Sequence, residues 1–215
     1  MPGEYFFARF YDPFVDPYIR KIRRKVLDLS RHYQPENILD VCCGTGHQLK
    51  LLKKHGFDVT GLDLNDHMLK ISRKGAHPPN CIKGDATLMP FRDGSFGMVM
   101  ISLALHENTP ENGKAILREM WRVVKPGGYL LFIDYDISSK TRLDARIITR
   151  AIEWLAGGDH YRNFKKYLEA GGLENILKAI PPGVIGEYCF AGKSLVLKVM
   201  MKPDLTPSSD RQVEG

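Results

Sequence analysis

The feature that most limits what this chain can become is the stretch Ile38-Leu39-Asp40-Val41-Cys42-Cys43-Gly44-Thr45-Gly46-His47-Gln48-Leu49. It opens on an apolar run short enough for a buried strand and passes two glycines one residue apart, where the backbone must turn tightly. Leu49, Leu51 and Leu52 among Lys50, Lys53 and Lys54 then read as a helix ending at Gly56. The unit is strand, glycine turn, helix. Its small residues let a ligand approach the backbone, and the unpaired N–H groups at the helix start can receive negative charge. It is read as the floor of a cofactor site.

The remainder alternates in the same way. Phe57 to Asp63 is a second strand with Asp63 at its far end, and Met68, Leu69 and Ile71 mark the next helix. Cys81 to Lys83 is a short strand ending at Gly84-Asp85-Ala86, Met98 to Ser102 is an apolar strand, Glu111 to Val124 is a helix stopped by Lys125-Pro126-Gly127-Gly128, and Tyr129 to Ile133 is a fifth strand. Strand and helix in alternation predict right-handed βαβ units and a parallel sheet covered on both faces. The fold class is α/β, doubly wound and Rossmann-like. Ligands of such sheets sit beyond the carboxyl ends of the strands, and Asp40, Asp63, Asp85 and His106 all fall there.

The last third changes character. Thr141 to Leu155, Phe164 to Ala170 and Leu173 to Ile180 read as helices, and Val184 to Phe190 and Ser194 to Met200 flank Ala191-Gly192 as an antiparallel hairpin. The expected organisation is one domain over 1–201, with an N-terminal lid or helix region at 1–35, a variable substrate-side insertion at 137–182 and a flexible tail at 202–215. With 215 residues, 43% hydrophobic and 26% charged, the chain suits one packed core.

Four cysteines form no CxxC pair, so no metal is expected, and Cys42 and Cys43 read as small packing residues. No apolar run reaches membrane-spanning length and the opening residues lack a secretory pattern, so a cytoplasmic location is expected. The net charge of +6 owes much to Arg20, Lys21, Arg23, Arg24 and Lys25, which interleave with Ile19, Ile22, Val26 and Leu29 at helical spacing. That helix presents either a solvated face or a contact for a membrane surface. No basic-aromatic signature points to nucleic acid. Ahead of it, the aromatics and prolines of residues 4 to 17, Tyr11 among them, suggest a short helix, a lid over a pocket or plain packing.

A Gly-x-Gly turn followed by an acidic residue such as Asp63 suits an adenosine-containing ligand, because a carboxylate accepts hydrogen bonds from both ribose hydroxyls. A dinucleotide fingerprint needs a third small residue where Leu49 stands, and Asp40 would repel a pyrophosphate but attract a cationic group. Four motifs in order, Ile38 to Gly46, Gly61-Leu62-Asp63, Gly84-Asp85-Ala86 through Phe91, and Arg122 to Gly128, resemble those of class I S-adenosylmethionine-dependent methyltransferases, nearest the ubiquinone/menaquinone-biosynthesis type. The resemblance covers about residues 36 to 136. It implies a mainly parallel seven-stranded sheet with a terminal antiparallel hairpin and S-adenosyl-L-methionine as cofactor.

Carried over by motif, Asp40, Cys42, Gly44, Thr45 and Gly46 would line the methionine and ribose part of the cofactor, and Asp63 the ribose hydroxyls. Asp85 with Ala86 would face the adenine amino group, Leu64 and Met68 would pack on the adenine, and Ser102 and Leu103 would lie near the reacting methyl. The family's first motif glycine is Cys42 here, the Asp after Phe in the fourth strand is Gly97, and the Glu and Ser after the fifth strand are Asp134 and Asp136. The expected partner is a small-molecule or lipid-like methyl acceptor. His106, His160 and Tyr135 are the expected catalytic residues, bordering the acceptor with Tyr11, and His106 is the leading base. Competing classes are a cofactor-binding protein without transfer activity and a nucleotide-dependent oxidoreductase.

Overall fold

In the computed structural model the chain is described over residues 4–137, 141–155 and 157–204, with side chains from residue 19 onward except those of Leu155 and Asp159. A single helix, α1 (Glu4–Tyr33), precedes β1 (Ile38–Val41), α2 (His47–Lys54), β2 (Val59–Asp63), α3 (Asp66–Ser72), β3 (Asn80–Lys83) and β4 (Phe96–Ser102). After a 3-10 turn (Leu105–Glu107) follow α4 (Pro110–Val123), β5 (Val124–Tyr135), α5 (Leu143–Leu155), α6 (Gly158–Glu169), α7 (Gly172–Leu177), β6 (Val184–Phe190) and β7 (Leu195–Met201). Residues 4 to 17, expected as a separate short helix or lid, continue into the basic helix as one element. No helix among the described residues is long and apolar enough to cross a membrane.

The seven strands lie in the order β3-β2-β1-β4-β5-β7-β6. The first five are parallel, and β7 runs antiparallel between β5 and β6. The expected class and the terminal hairpin are therefore both present. The central strands are buried on both faces, and for that reason Met98 to Ile101 and Leu130 to Ile133 are unbroken apolar runs rather than alternating ones. The order reverses between β1 and β4, where neighbouring loops leave in opposite directions and open a crevice.

Two local features bear on expectations from the sequence. At Gly97 an added Cβ would lie 3.1 Å from the Glu36 nitrogen, beside a register shift between Phe96 and Met98. The close approach of the Pro35–Asn37 segment leaves no room for an aspartate, and the Asn37 carboxamide oxygen accepts the Gly97 N–H at 2.8 Å. The Lys125-Pro126-Gly127-Gly128 segment, expected to stop a helix, lies within β5. It is tied to Lys202, whose backbone N–H donates to Gly128 and whose carbonyl accepts from Gly127. The Lys202 ammonium also donates to the Trp121 and Val124 carbonyls, so a segment expected as the start of a flexible tail is fastened to the domain. Residues 205–215 lie outside the described residues.

Arg122 fastens the β3–β4 connection to α4. It pairs with both oxygens of Glu119 at 2.7 Å and donates to Asp93 and to the Met89 and Phe91 carbonyls. Three of the five guanidinium bonds thus hold the loop that carries Asp85, and the other two fix the guanidinium to α4.

Gly61, in the middle of β2, is where packing is tightest beneath the first glycine turn. A Cβ there would meet Cys43 Sγ, Cys81 Sγ and Leu49 Cδ1, each at 2.7 Å. Gly61→Ala is expected to cost about 1–3 kcal/mol by overpacking, read as a lower denaturant midpoint with an unchanged slope.

Candidate functional site

The site is built where β1 and β4 part. Leaving β1, the chain enters the left-handed region at Cys42 (φ 57), Gly44 (φ 52) and Gly46 (φ 70). Opposite, at the end of β4, Leu103 is also left-handed (φ 53), and its N–H donates to the Ile133 carbonyl. Two non-glycine residues in this conformation on facing sides of one crevice mark a place where geometry outweighs local preference. The small residue expected at position 42 is therefore a small residue under backbone strain.

Asp63, at the end of β2, bonds across to the turn. One oxygen accepts the Gly44 N–H and the other accepts the Asn65 N–H, both at 2.8 Å. Asn65 caps α3 by accepting from His67 and Met68. The carboxylate is thus pre-set by two backbone donors, with lone pairs left over for a ligand. Asp85 is held likewise by the N–H and hydroxyl of Thr87, which draw its carboxyl below the usual range. Asp40 is only 4% exposed, and burial, with Cys81 and Asp63 nearby, pushes its carboxyl well above the usual range. Burial and the acidic neighbours push the Cys42 thiol to about 12, so it stays protonated and unreactive.

Two adjoining cavities occupy the crevice. One, about 400 Å³, is lined by Asp40, Cys42, Gly44, Thr45, Asp63, Met68, Ser102 and Leu103. The other, about 380 Å³, is lined by Cys42, Asp63, Leu64, Asp85 and Ala86. They share Cys42, Asp63, Ala104 and Glu107 and form one elongated cleft. Gly46 lines neither cavity; it shapes the turn as the residue preceding α2.

The other expected residues assemble elsewhere. His106, Tyr135 and His160 come together, with His106 4.8 Å from the Tyr135 ring and 5.5 Å from the His160 ring, but none of the three lines the cleft. The reason is Asp134, which is fully buried. One of its oxygens accepts the N–H groups of Leu105 and His106, and the other lies 2.6 Å from His106 Nδ1. The 3-10 turn is pulled inward, so the His106 side chain is 3% exposed, and Glu107 takes the place at the cleft where His106 was expected.

Burial alone would lower the basicity of His106, yet Asp134 and then Glu153 outweigh it and hold the imidazole at about 9. An imidazole already protonated at neutral pH is a poor acceptor for a substrate proton. His160 bonds Glu153 at 2.6 Å, which raises its own basicity. α6 completes this wall through Asn163 to the Glu107 carbonyl and Tyr167 to the Tyr135 carbonyl. The Tyr11 side chain lies outside the described residues.

The residue reading missed Glu107, which lines both cavities, and the face of α1 bearing Ile19, Ile22 and Arg23, which lines the first. Glu107 had a visible signal, its place just past a strand end. For α1 the same apolar spacing that buries a helix also supplies a pocket wall, and spacing cannot tell the two apart.

Cys42→Gly is expected to stabilise the protein by about 1 kcal/mol, because a left-handed side chain costs roughly 1–2 kcal/mol and the lost packing is small. Thermal unfolding checks this; a lower melting temperature would remove the strain argument.

Comparison with known proteins agrees with this geometry. Residues 39–132 match the family model described as "Methyltransferase domain". The demethylmenaquinone methyltransferase of Listeria welshimeri is 40% identical over 122 residues, which are 53% of this chain and 51% of that protein. The enzyme of the same name from Renibacterium salmoninarum is 40% identical over 116 residues, 54% of this chain and 48% of that one. The chain spans about half the length of these curated relatives. A crystal structure of a SAM-dependent methyltransferase from Aquifex aeolicus superposes with a TM-score of 0.61 at 20% identity, covering 94% of this chain and 99% of that one, a likeness of fold. Over residues 39–132 the chain is thus similar to methyltransferase domains, and its fold is like that of a SAM-dependent methyltransferase.

Proposed function

We propose that this protein transfers the methyl group of S-adenosyl-L-methionine to a small or lipid-like acceptor, with a quinone-type ring as the leading class. The observation that carries the reading is the single cleft at the β1–β4 reversal with four carboxylates along it, Asp40, Asp63, Asp85 and Glu107. An adenosyl sulfonium amino acid has ribose hydroxyls, an adenine amino group and two cationic centres, and each finds an acceptor there. The quinone-type acceptor is supported by the names of the curated relatives.

In this reading Asp63 takes the ribose hydroxyls, Asp85 and Ala86 face the adenine edge, and Leu64 and Met68 pack on its faces. Asp40 and the turn of Gly44 to Gly46 hold the methionine end, while Ser102 and Leu103 border the methyl. Displacement at a sulfonium needs the nucleophile in line and water excluded, and positioning of this kind is worth roughly 7–11 kcal/mol. Glu107, at the junction of the two cavities, is the group placed to receive an acceptor proton. His106 and Tyr135 act behind it as positioning residues, and His160 touches its side of the wall.

Calorimetry with S-adenosylmethionine tests the cofactor. One saturable site is expected, and Asp63→Ala should weaken it by more than about tenfold, since it removes charge-assisted bonds of roughly 1.5–3 kcal/mol. No binding to the unaltered protein sinks the reading.

Asp40 yields a second test. Its carboxyl is shifted toward the neutral form in the free protein, and a cationic ligand beside it favours ionisation, so binding should release a fraction of a proton. Binding enthalpy should then depend on the ionisation enthalpy of the buffer, and the dependence should vanish in Asp40→Asn.

For the acceptor side, radiolabel transfer into a lipid extract is expected. Glu107→Gln should lower turnover by about 10²–10⁴-fold with cofactor affinity unchanged.

A further inference from the structure

The cluster behind the cleft has a donor set that methyl transfer does not require. His106 and His160 come from distant parts of the chain, one from the turn after β4 and one from α6, and converge on the same buried carboxylate. Glu153 Oε2 lies 2.6 Å from His160 Nε2 and 3.7 Å from His106 Nε2. Glu107 approaches the other nitrogen of His160 at 3.8 Å. One donor atom from each of His106, Glu107 and His160 falls within 4.8 Å of the other two.

We propose that His106, His160 and Glu107 form a binding site for a divalent first-row metal ion, zinc by its donor set, at the wall of the cleft, with Glu153 as the neighbouring buried carboxylate. Ligand nitrogens and oxygens about 2.0–2.1 Å from a tetrahedral zinc stand roughly 3.4 Å apart. The three donor atoms therefore need to close by only about an ångström, within reach of side-chain rotation.

Two further observations distinguish this cluster from a chance meeting of polar groups. Asp134 binds His106 through Nδ1 and so turns Nε2 toward Glu153, the carboxylate–histidine arrangement that orients a ligating imidazole. Asp134 is itself fixed by the backbone N–H groups of Leu105, His106 and Tyr135, so the support behind the ligand is rigid.

Two imidazoles with one carboxylate leave at least one coordination position open. Glu107 reaches both the cluster and the cleft, so an ion held by it would border the space proposed for the acceptor. There the ion would hold an acceptor oxygen and lower the pKa of a hydroxyl bound to it. That role rests on the methyl-transfer reading; the binding of the metal does not.

The test uses untagged protein freed of metal by a chelator and then dialysed. Titration with zinc chloride by calorimetry, and with cobalt chloride by visible absorption, should each show one saturable equivalent. Cobalt should give the intense bands of a four- or five-coordinate ion. His160→Ala, at a partly exposed side chain and so compatible with folding, and Glu107→Gln should each weaken zinc binding at least tenfold. Asp134→Asn should weaken it about 10–100-fold with the cobalt spectrum shifted. His77→Ala, at an exposed histidine far along the chain, should change nothing.

Absence of saturable zinc binding overturns the proposal. Undiminished affinity in both His160→Ala and Glu107→Gln also overturns it. S-adenosylmethionine titrated into the same sample separates the two readings: cofactor binding without zinc binding removes the metal site alone, and zinc binding without cofactor binding removes methyl transfer alone.

Discussion

The arrangement around the cleft depends on one buried carboxylate. Asp134, at the inner end of β5, is surrounded by four donors, the N–H groups of Leu105, His106 and Tyr135 and the imidazole of His106. A carboxylate without water is stable only when its lone pairs are taken up this way. In satisfying them the chain after β4 is bent into a 3-10 turn, which turns one of two consecutive side chains inward and the other toward the cleft. The identity of the wall facing a ligand, Glu107 and not His106, follows from where Asp134 sits.

That dependence explains which parts of the site were legible in the sequence. Strand ends could be read because apolar runs stop where backbone leaves the sheet, so Asp40, Asp63 and Asp85 were placed from pattern alone. The parallel sheet and its terminal hairpin came with them, since strands alternating with helices and then a short-linked strand pair leave few arrangements. His106 lies at a strand end by the same rule, yet its direction is set by a residue 28 positions later. Sequence spacing carries no information about such a partner. The replacement of the family's Glu by Asp134 was visible, but its meaning lay in hydrogen bonds made in three dimensions.

Other departures from the family have local causes. Gly97 answers to the backbone of Glu36, and its N–H is taken up by the Asn37 carboxamide oxygen. Cys42 holds a conformation that glycine adopts freely, and the surrounding structure keeps it there. The first change relieves a steric conflict; the second accepts one. Neither was separable from the sequence, where both appear as a single altered motif position.

Helix α1 contributes to two compartments at once. Ile22 is buried among the core residues with Val26 and Leu29, and it also lines the cleft with Ile19 and Arg23. A wall that belongs to the core cannot swing aside without exposing core surface to water, at about 25 cal/mol for each Å² of apolar area. From Ile22 onward, then, the helix is a fixed boundary of the cleft. The core and the binding cleft share a border about one helical turn wide, and the composition of that turn governs both how firmly the domain holds together and what surface a ligand meets on that side.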